Sequence, residues 1–242
     1  DVVSDKINLI FEIEDTEKLF VEKINIYGNN ITNENVIRNQ LLLDEGDPYN
    51  QILSKRSINN IKGLNFFKSV KSEILEGSNA ETRIFNIEVE EKATGEISAG
   101  AGVGTSGGTI MFGVRENNYL GKGIAVNTNL TVNAESLKGI FSVRNPNFNN
   151  SDKSAFFSLE ATETDRLTKS GYKMNKTGLN LGTRFEYYDD LFLGFKTSTF
   201  FEKIETNSTA SSRQKAQQGN YFDSFLGLDF DYDKRNQKFQ TT

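Results

Sequence analysis

The chain reads as a small α+β module followed by the antiparallel strands of a transmembrane β-barrel. Three observations predict this. The period of the sequence changes near residue 93, from mixed helical and strand patterns to steady apolar/polar alternation. Beyond that point turn residues recur at intervals of about a dozen residues. The segments between them are mostly 9–15 residues long. Globular strands usually have about 5–6 residues, whereas about 9–11 cross a bilayer at a tilt. The segment 121–134, GKGIAVNTNLTVNA, shows the alternation best. Ile124, Val126, Thr128, Leu130 and Val132 face one way, and Ala125, Asn127, Asn129, Thr131 and Asn133 the other. One oily face and one Asn/Thr face suit a wall between lipid and water.

The elements of the first part follow in order. Residues 6–14 read as a strand in which Ile7, Leu9, Phe11 and Ile13 alternate. No basic start, apolar stretch and cleavage site precede it, so a mature chain or a segment of a longer one is expected. Residues 20–28, FVEKINIYG, read as a second strand. Thr32 is the expected cap of a helix over 33–43, with Val36, Ile37 and Leu41 as its apolar stripe, and EGDP at 45–48 stops it. A second helix is predicted over 50–62, capped by Asn50, with Leu53, Ser57 and Ile61 on one face. Gly63 stands where a left-handed helix cap is expected. Residues 66–74 and 82–91 complete a β-α-α-β-β order. By period alone this is any small α+β domain.

Eight strands are predicted from residue 95 on, over 95–104, 108–119, 122–133, 137–145, 153–164, 173–187, 191–205 and 219–233. Apolar residues share a face in most. Examples are Ile110, Phe112 and Val114; Ala155, Phe157, Leu159 and Ala161; Leu179, Leu181, Phe185 and Tyr187; and Leu226, Leu228, Phe230 and Tyr232. The connections near 119–122, 145–152 and 188–190 are compact, while those near 164–172 and 205–219 are longer and polar. Outer-membrane barrels have short periplasmic turns and longer outer loops. A soluble barrel or large sandwich is the alternative reading of the same alternation.

Composition excludes several functions. No run of about 18 apolar residues exists, so a transmembrane helix is excluded. A barrel is not excluded, because its strands average out as polar. The chain has 19 Phe and 8 Tyr, which can supply interfacial girdles. His and Cys are both absent, so neither an imidazole nor a thiolate metal site can be built. The net charge is −5 and no basic patch carries interleaved aromatics, which argues against a nucleic-acid partner. Carboxylates cluster at Glu90–Glu91, at Asp189–Asp190, and at Asp229, Asp231 and Asp233. In this context they read as solvated loops or a water-facing wall rather than as acid/base or cation sites. GAGVGTSGG, at 100–108, lacks the Lys-Ser/Thr pair and following helix of a phosphate-binding loop. No catalytic, metal or cofactor site is expected, and the protein is not read as an enzyme.

The Gly-rich segment instead has mechanical content. Gly95, Gly100, Gly102 and Gly104 share a strand with Ile97, Ala99, Ala101 and Val103. Such a strand should pair weakly and bend easily.

The ordered pieces resemble a known family. VEKINIYGNNIT (21–32) and GLNFFKSV (63–70) in a β-α-α-β-β module resemble a POTRA domain. IEVEEKATGEISAGAGVGTSGG (87–108), ENNYLGKGIAV (116–126), VRNPNF (143–148) and DYDKRNQKFQTT (231–242) resemble, in order, the joint, turns and eighth-strand end of the BamA family of outer-membrane protein assembly factors. The resemblance implies several POTRA domains and a barrel of about sixteen strands, of which this chain holds eight. It divides the chain into the end of a preceding POTRA (1–19), the barrel-proximal POTRA (20–92) and the N-terminal half-barrel (93–242). The family's inward-folded loop with an Arg-Gly-Phe motif lies beyond this sequence.

The implied function is to accept nascent outer-membrane proteins from the periplasm and template their strands at a weak seam, at the edge formed by Gly95, Ile97, Ala99, Gly100, Ala101, Gly102, Val103 and Gly104. By the same resemblance, Glu45 and nearby Arg38 fall where the family contacts a periplasmic assembly lipoprotein. The implied location is the outer membrane, in contact with its lipid, with the POTRA in the periplasm. The alternatives are a TamA-like or two-partner-secretion transporter and a passive porin-type barrel.

Overall fold

The structure, a computed structural model, describes residues 18–104 and 107–234, with the backbone of 2–3 and 6–7. Val2–Val3 (β1) and Lys6–Ile7 (β2) pair antiparallel. The rest of the strand expected over 6–14 lies outside the described residues, as do positions 235–242 of the terminal motif.

The first body is a three-stranded sheet with helices on one face. Its strands are Phe20–Tyr27 (β3), Phe67–Glu76 (β4) and Thr82–Glu91 (β5), in the order β3-β5-β4. β3 runs parallel to β5, and β4 antiparallel to it. Gln51–Gly63 (α2) starts at Asn50, whose side chain accepts from the amides of Ile52 and Leu53 as a cap should. Its buried stripe is Ser54, Ser57, Ile58 and Ile61, so Leu53 sits at the margin of the face rather than on it. These residues close over Val21, Ile24, Phe66, Phe67, Val70, Phe85, Ile87 and Val89.

Three helix expectations are corrected. The first helix is only Glu34–Arg38 (α1), not 33–43. After it the amide of Leu42 bonds Ser57 Oγ at 2.8 Å and Leu43 is buried, so tertiary partners take the chain out of the helix. Asn33, not Thr32, occupies the cap position. At the end of α2 the left-handed residue is Asn65, with φ 60°, and Gly63 stays helical. Asn tolerates that conformation better than most residues.

The second body is a single eight-stranded antiparallel sheet in strict sequence order. It comprises Gly95–Gly104 (β6), Gly107–Tyr119 (β7), Ile124–Asn133 (β8), Ser136–Asn145 (β9), Ser154–Arg166 (β10), Tyr172–Tyr188 (β11), Leu191–Thr206 (β12) and Gly219–Tyr232 (β13). Every predicted strand is present with ends shifted by two residues or fewer. The register keeps the two faces apart throughout. Leu130 lies opposite Phe112, Phe141 opposite Thr128 and Leu159, and Leu181 opposite Phe157.

The apolar face is left uncovered. Ile110, Phe112, Leu226, Leu228 and Phe230 are all exposed, and among the described residues Ala210 is the only buried hydrophobic side chain beyond residue 89. A soluble barrel or sandwich would cover that face to make a core. At the end nearest the three-stranded sheet, Tyr119, Phe148, Tyr187, Tyr188 and Tyr232 are exposed together, as in an interfacial girdle. The opposite face is polar. There Lys196 pairs with Asp229 at 2.9 Å, and Arg184 reaches Asp231 past Gly194.

The connections separate the two ends less cleanly than their lengths predict. The long ones hold Leu167–Ser170 (α3) and Ser212–Ala216 (α4), and they dock on each other where the Asn207 amide bonds the Gly171 carbonyl at 2.8 Å. At the same end, however, the β8–β9 turn is tight. Asn133 Oδ1 closes it by accepting from the amides of Glu135 and Ser136.

Candidate functional site

β6 stands at one end of the sheet and pairs only with β7, from Gly95 opposite Glu116 to Gly104 opposite Gly107. Its other edge meets no strand among the described residues. Ile97, Ala99, Ala101 and Val103 lie on the apolar face, and Gly100, Gly102 and Gly104 on the polar face with Glu96 and Ser98. Val103 is 93% exposed and Ile97 75%, so little beyond the β7 ladder holds the strand. Crowding is not why glycine stands here. A methyl group on Gly102 or Gly104 would meet nothing within 4 Å, and one on Gly100 would make an ordinary 3.5 Å contact with Met111 Cε. What these glycines remove is side-chain packing and backbone stiffness.

The start of β6 is tied to the three-stranded module by a joint that sequence reasoning missed. Thr32, expected as a helix cap, is buried, and its Oγ1 accepts from Asn118 Nδ2 at 2.8 Å. Asn118, also buried, accepts at Oδ1 from the Gly123 amide at 2.7 Å and donates its own amide to Glu116 Oε1 at 2.7 Å. Thr94, just before β6, donates to the same Glu116 oxygen. The Asn33 amide bonds the Gly121 carbonyl at 2.8 Å.

Gly121 has φ 70°, and a methyl group there would lie 1.9 Å from the Ile31 carbonyl oxygen. Gly123 has φ 66°, and a methyl group there would lie 3.0 Å from Val36 Cγ1. The only signal in the sequence was the unusual string NNYLGKG at 117–123, which reads equally well as an ordinary turn.

Glu91 anchors the module side of this joint. Its two carboxylate oxygens accept from the amides of Ile31 at 2.9 Å and Thr32 at 2.7 Å. Burial pushes its pKa up, but hydrogen bonds from Thr32, Ile31 and Asn30 outweigh that and hold it below the ordinary 4.5. A depressed carboxylate contributes stability above its unfolded pKa and loses it as pH falls through the folded value. The joint is therefore expected to loosen below about pH 4.5 and to be intact at neutral pH. Amide exchange at Ile31 and Thr32 across that range measures this, and Glu91→Gln should flatten the dependence.

Arg38 and Glu45 meet over Ile24 of β3. Arg38 Nε donates to Glu34 at 2.7 Å, and Nη1 stands 3.6 Å from Glu45 Oε1. The structure brings these two together at Ile24 of β3, and neither bonds a residue of β6 among the described contacts. Of the carboxylate pairs, Glu90 is held by Lys68 at 2.9 Å and Ser69 at 3.2 Å.

Comparison with known proteins fits this geometry. The POTRA family, described as a surface antigen variable number repeat, matches residues 19–92, and the Omp85 superfamily domain matches residues 118–242. The chain belongs to the Omp85 superfamily.

Within the Omp85 superfamily the chain is similar to BamA assembly factors. The outer membrane protein assembly factor BamA of Neisseria meningitidis is 25% identical over 78% of this chain, which spans 25% of that protein. The crystal structure of BamA from Haemophilus ducreyi lacking POTRA domains 1–3 superposes with a TM-score of 0.68 at 20% identity, over 92% of this chain and 46% of that one. CdiB from Acinetobacter baumannii shares the fold at a TM-score of 0.56 and 13% identity, over 88% of this chain and 42% of that one. The chain thus spans about a quarter of the length of the curated BamA protein and under half of either solved chain.

Proposed function

We propose that this chain is the barrel-proximal POTRA module (20–92), preceded by the end of another POTRA (1–19), and the first half-barrel (93–242) of an outer-membrane protein assembly factor. It sits in the outer membrane with the POTRA module in the periplasm, and its clients are nascent outer-membrane proteins. The glycine-rich β6, held by little beyond β7, carries this reading, because a weak seam there can open its outer edge to another strand. In lipid each unpaired backbone group costs several kcal/mol. An arriving client strand has the same deficit. Pairing the two removes both, by addition of a strand to an exposed edge. Cofactors and bond-making chemistry have no part in this, and the driving force is burial and pairing of client strands. Arg38 and Glu45 are the proposed contact for a periplasmic lipoprotein.

Photo-crosslinkers at Ile97, Ala99, Ala101 and Val103 of the full-length protein should capture client barrels during insertion. Capture at none of the four, by protein that still inserts clients, would sink the templating edge. The rival is a TamA-like or two-partner-secretion transporter, supported by the fold shared with CdiB. Crosslinks to cargo from polar-face positions such as Asn127 and Asn129, with none from β6, would favour it.

A further inference from the structure

The apolar face of the sheet changes character at the end away from the three-stranded module. On β10, β11 and β12 its last positions are Glu163 and Asp165, Lys173 and Asn175, and Lys203 and Glu205. The register sets them in two rows. Lys173 stands between Asp165 and Glu205, and Asn175 between Glu163 and Lys203. Lys173 Nζ lies 2.6 Å from Glu163 Oε1 and 3.5 Å from Asp165 Oδ2, and Lys203 Nζ lies 2.7 Å from Glu205 Oε1. Opposite charges on neighbouring strands stabilise a sheet.

The rows sit at a definite height. Between Tyr187, in the girdle at the other end, and Asn175, this face of β11 carries Phe185, Thr183, Leu181, Leu179 and Thr177, none of them charged. At roughly 3.3 Å per residue and a tilt of about 40–45°, that stretch rises about 30 Å along the membrane normal. The hydrocarbon core of a bilayer is about 30 Å thick. Charge on a lipid-facing wall is costly at mid-membrane and tolerated at the boundary. The two rows therefore meet the lipid headgroups, and they meet them with charge where the other end has tyrosine.

What the patch leaves over is acceptor. Three carboxylates share two ammonium groups. Glu163 Oε2 and Glu205 Oε2 have no partner among the described residues, and Asn175 Oδ1 is buried without one. The Lys173 side chain is covered, at 23% exposed, whereas that of Lys203 is 48% exposed and can turn outward. Among the described residues no three carboxylates converge as a closed metal site, so a cation held here keeps positions open for other oxygen ligands. We propose that this patch binds a phosphorylated lipid headgroup together with a divalent cation. Lys203 donates to a phosphate oxygen, and the cation joins that phosphate to the free oxygens of Glu163 and Glu205. A layer of phosphates and their counter-ions interleaves both signs of charge, as the patch does. Such binding rests on the outer-membrane reading of the wall and is independent of templating at β6.

The test is native mass spectrometry of the full-length protein, released from nanodiscs of phosphatidylcholine and phosphatidic acid in the presence of magnesium. Phosphatidic acid should be retained in preference to phosphatidylcholine. Chelating the magnesium, or Lys203→Gln, should lower that retention about tenfold, since a charged contact is lost. Lys196→Gln removes the same charge from the polar face and should change nothing. Glu163→Gln with Glu205→Gln should free retention from magnesium, because the phosphate then meets the lysines without the surplus carboxylates. Equal retention of both lipids, or retention indifferent to the chelator in the native protein, overturns the patch. So does a magnesium requirement that persists unchanged in the double variant, or an effect of Lys196→Gln as large as that of Lys203→Gln. A protein that never enters the nanodisc would sink the membrane reading along with the patch, whereas failed retention by inserted protein sinks the patch alone.

Discussion

Gly121→Ala is expected to undock the POTRA module from the β7–β8 turn of the sheet. Two effects add at this position. The left-handed conformation, φ 70°, costs a side-chain-bearing residue roughly 1–2 kcal/mol. The new methyl group would also stand 1.9 Å from the Ile31 carbonyl oxygen, a backbone atom that can move only by shifting the 31–33 segment. That shift separates the Asn33 amide from Gly121 and Thr32 from Asn118. Asn118→Leu should produce the same undocking by another route. It leaves Thr32 Oγ1 and the Gly123 amide without their partner, at about 1–3 kcal/mol for each buried group left unsatisfied. Spin labels on α2 and on the β9–β10 turn read the result. A single narrow distance should broaden in both variants, and a distribution unchanged in both would remove the joint from this account. Slower client insertion should accompany undocking, because Thr94 and Glu116 tie the joint to the start of β6.

The second large effect is expected from filling the glycine positions of β6. Gly100→Thr with Gly102→Thr should stabilise the β6–β7 hairpin and slow insertion. There is room for both side chains, since only Met111 Cε lies within 4 Å of either new Cβ. Threonine suits the polar face and favours strands. Glycine in a strand interior costs roughly 0.5–1 kcal/mol relative to alanine, so the pair should gain about 1–2 kcal/mol. If opening of the edge limits insertion, that gain slows it by about tenfold. Hairpin amide exchange and the half-time of client insertion measure the two sides of the trade. A stiffer hairpin with unchanged insertion would show that pliability of β6 is not what the glycines provide.

The strands were the most legible part of the chain. Alternation over 122–133 or 191–205 is a local signal, and a wall with one face in lipid leaves its apolar residues exposed rather than hidden in a core. The α2 helix was legible for a similar reason, because Asn50 caps its own next turn. The first helix was not. Its expected second half is drawn away by Ser57 Oγ, 15 residues from Leu42 in sequence. Thr32 has the chemistry of a cap, and only the arrival of Asn118, 86 residues later, assigns it to the joint. Arg38 and Glu45 were found by family resemblance. Their hold on Ile24, across 14 and 21 residues, leaves no trace in spacing or periodicity.

By itself, then, the sequence determined the kind of wall this chain builds, where that wall begins, and which strand is richest in glycine. Those properties follow from the two-residue period and from glycine content, and both act within a strand. The tertiary structure decided how the β3 edge is covered and how the module is fastened to the wall. Those depend on single hydrogen bonds between residues far apart in the chain, such as Thr32 with Asn118 and Ile24 with Glu45. A hydrogen bond constrains the position of two groups without requiring any pattern in the residues between them.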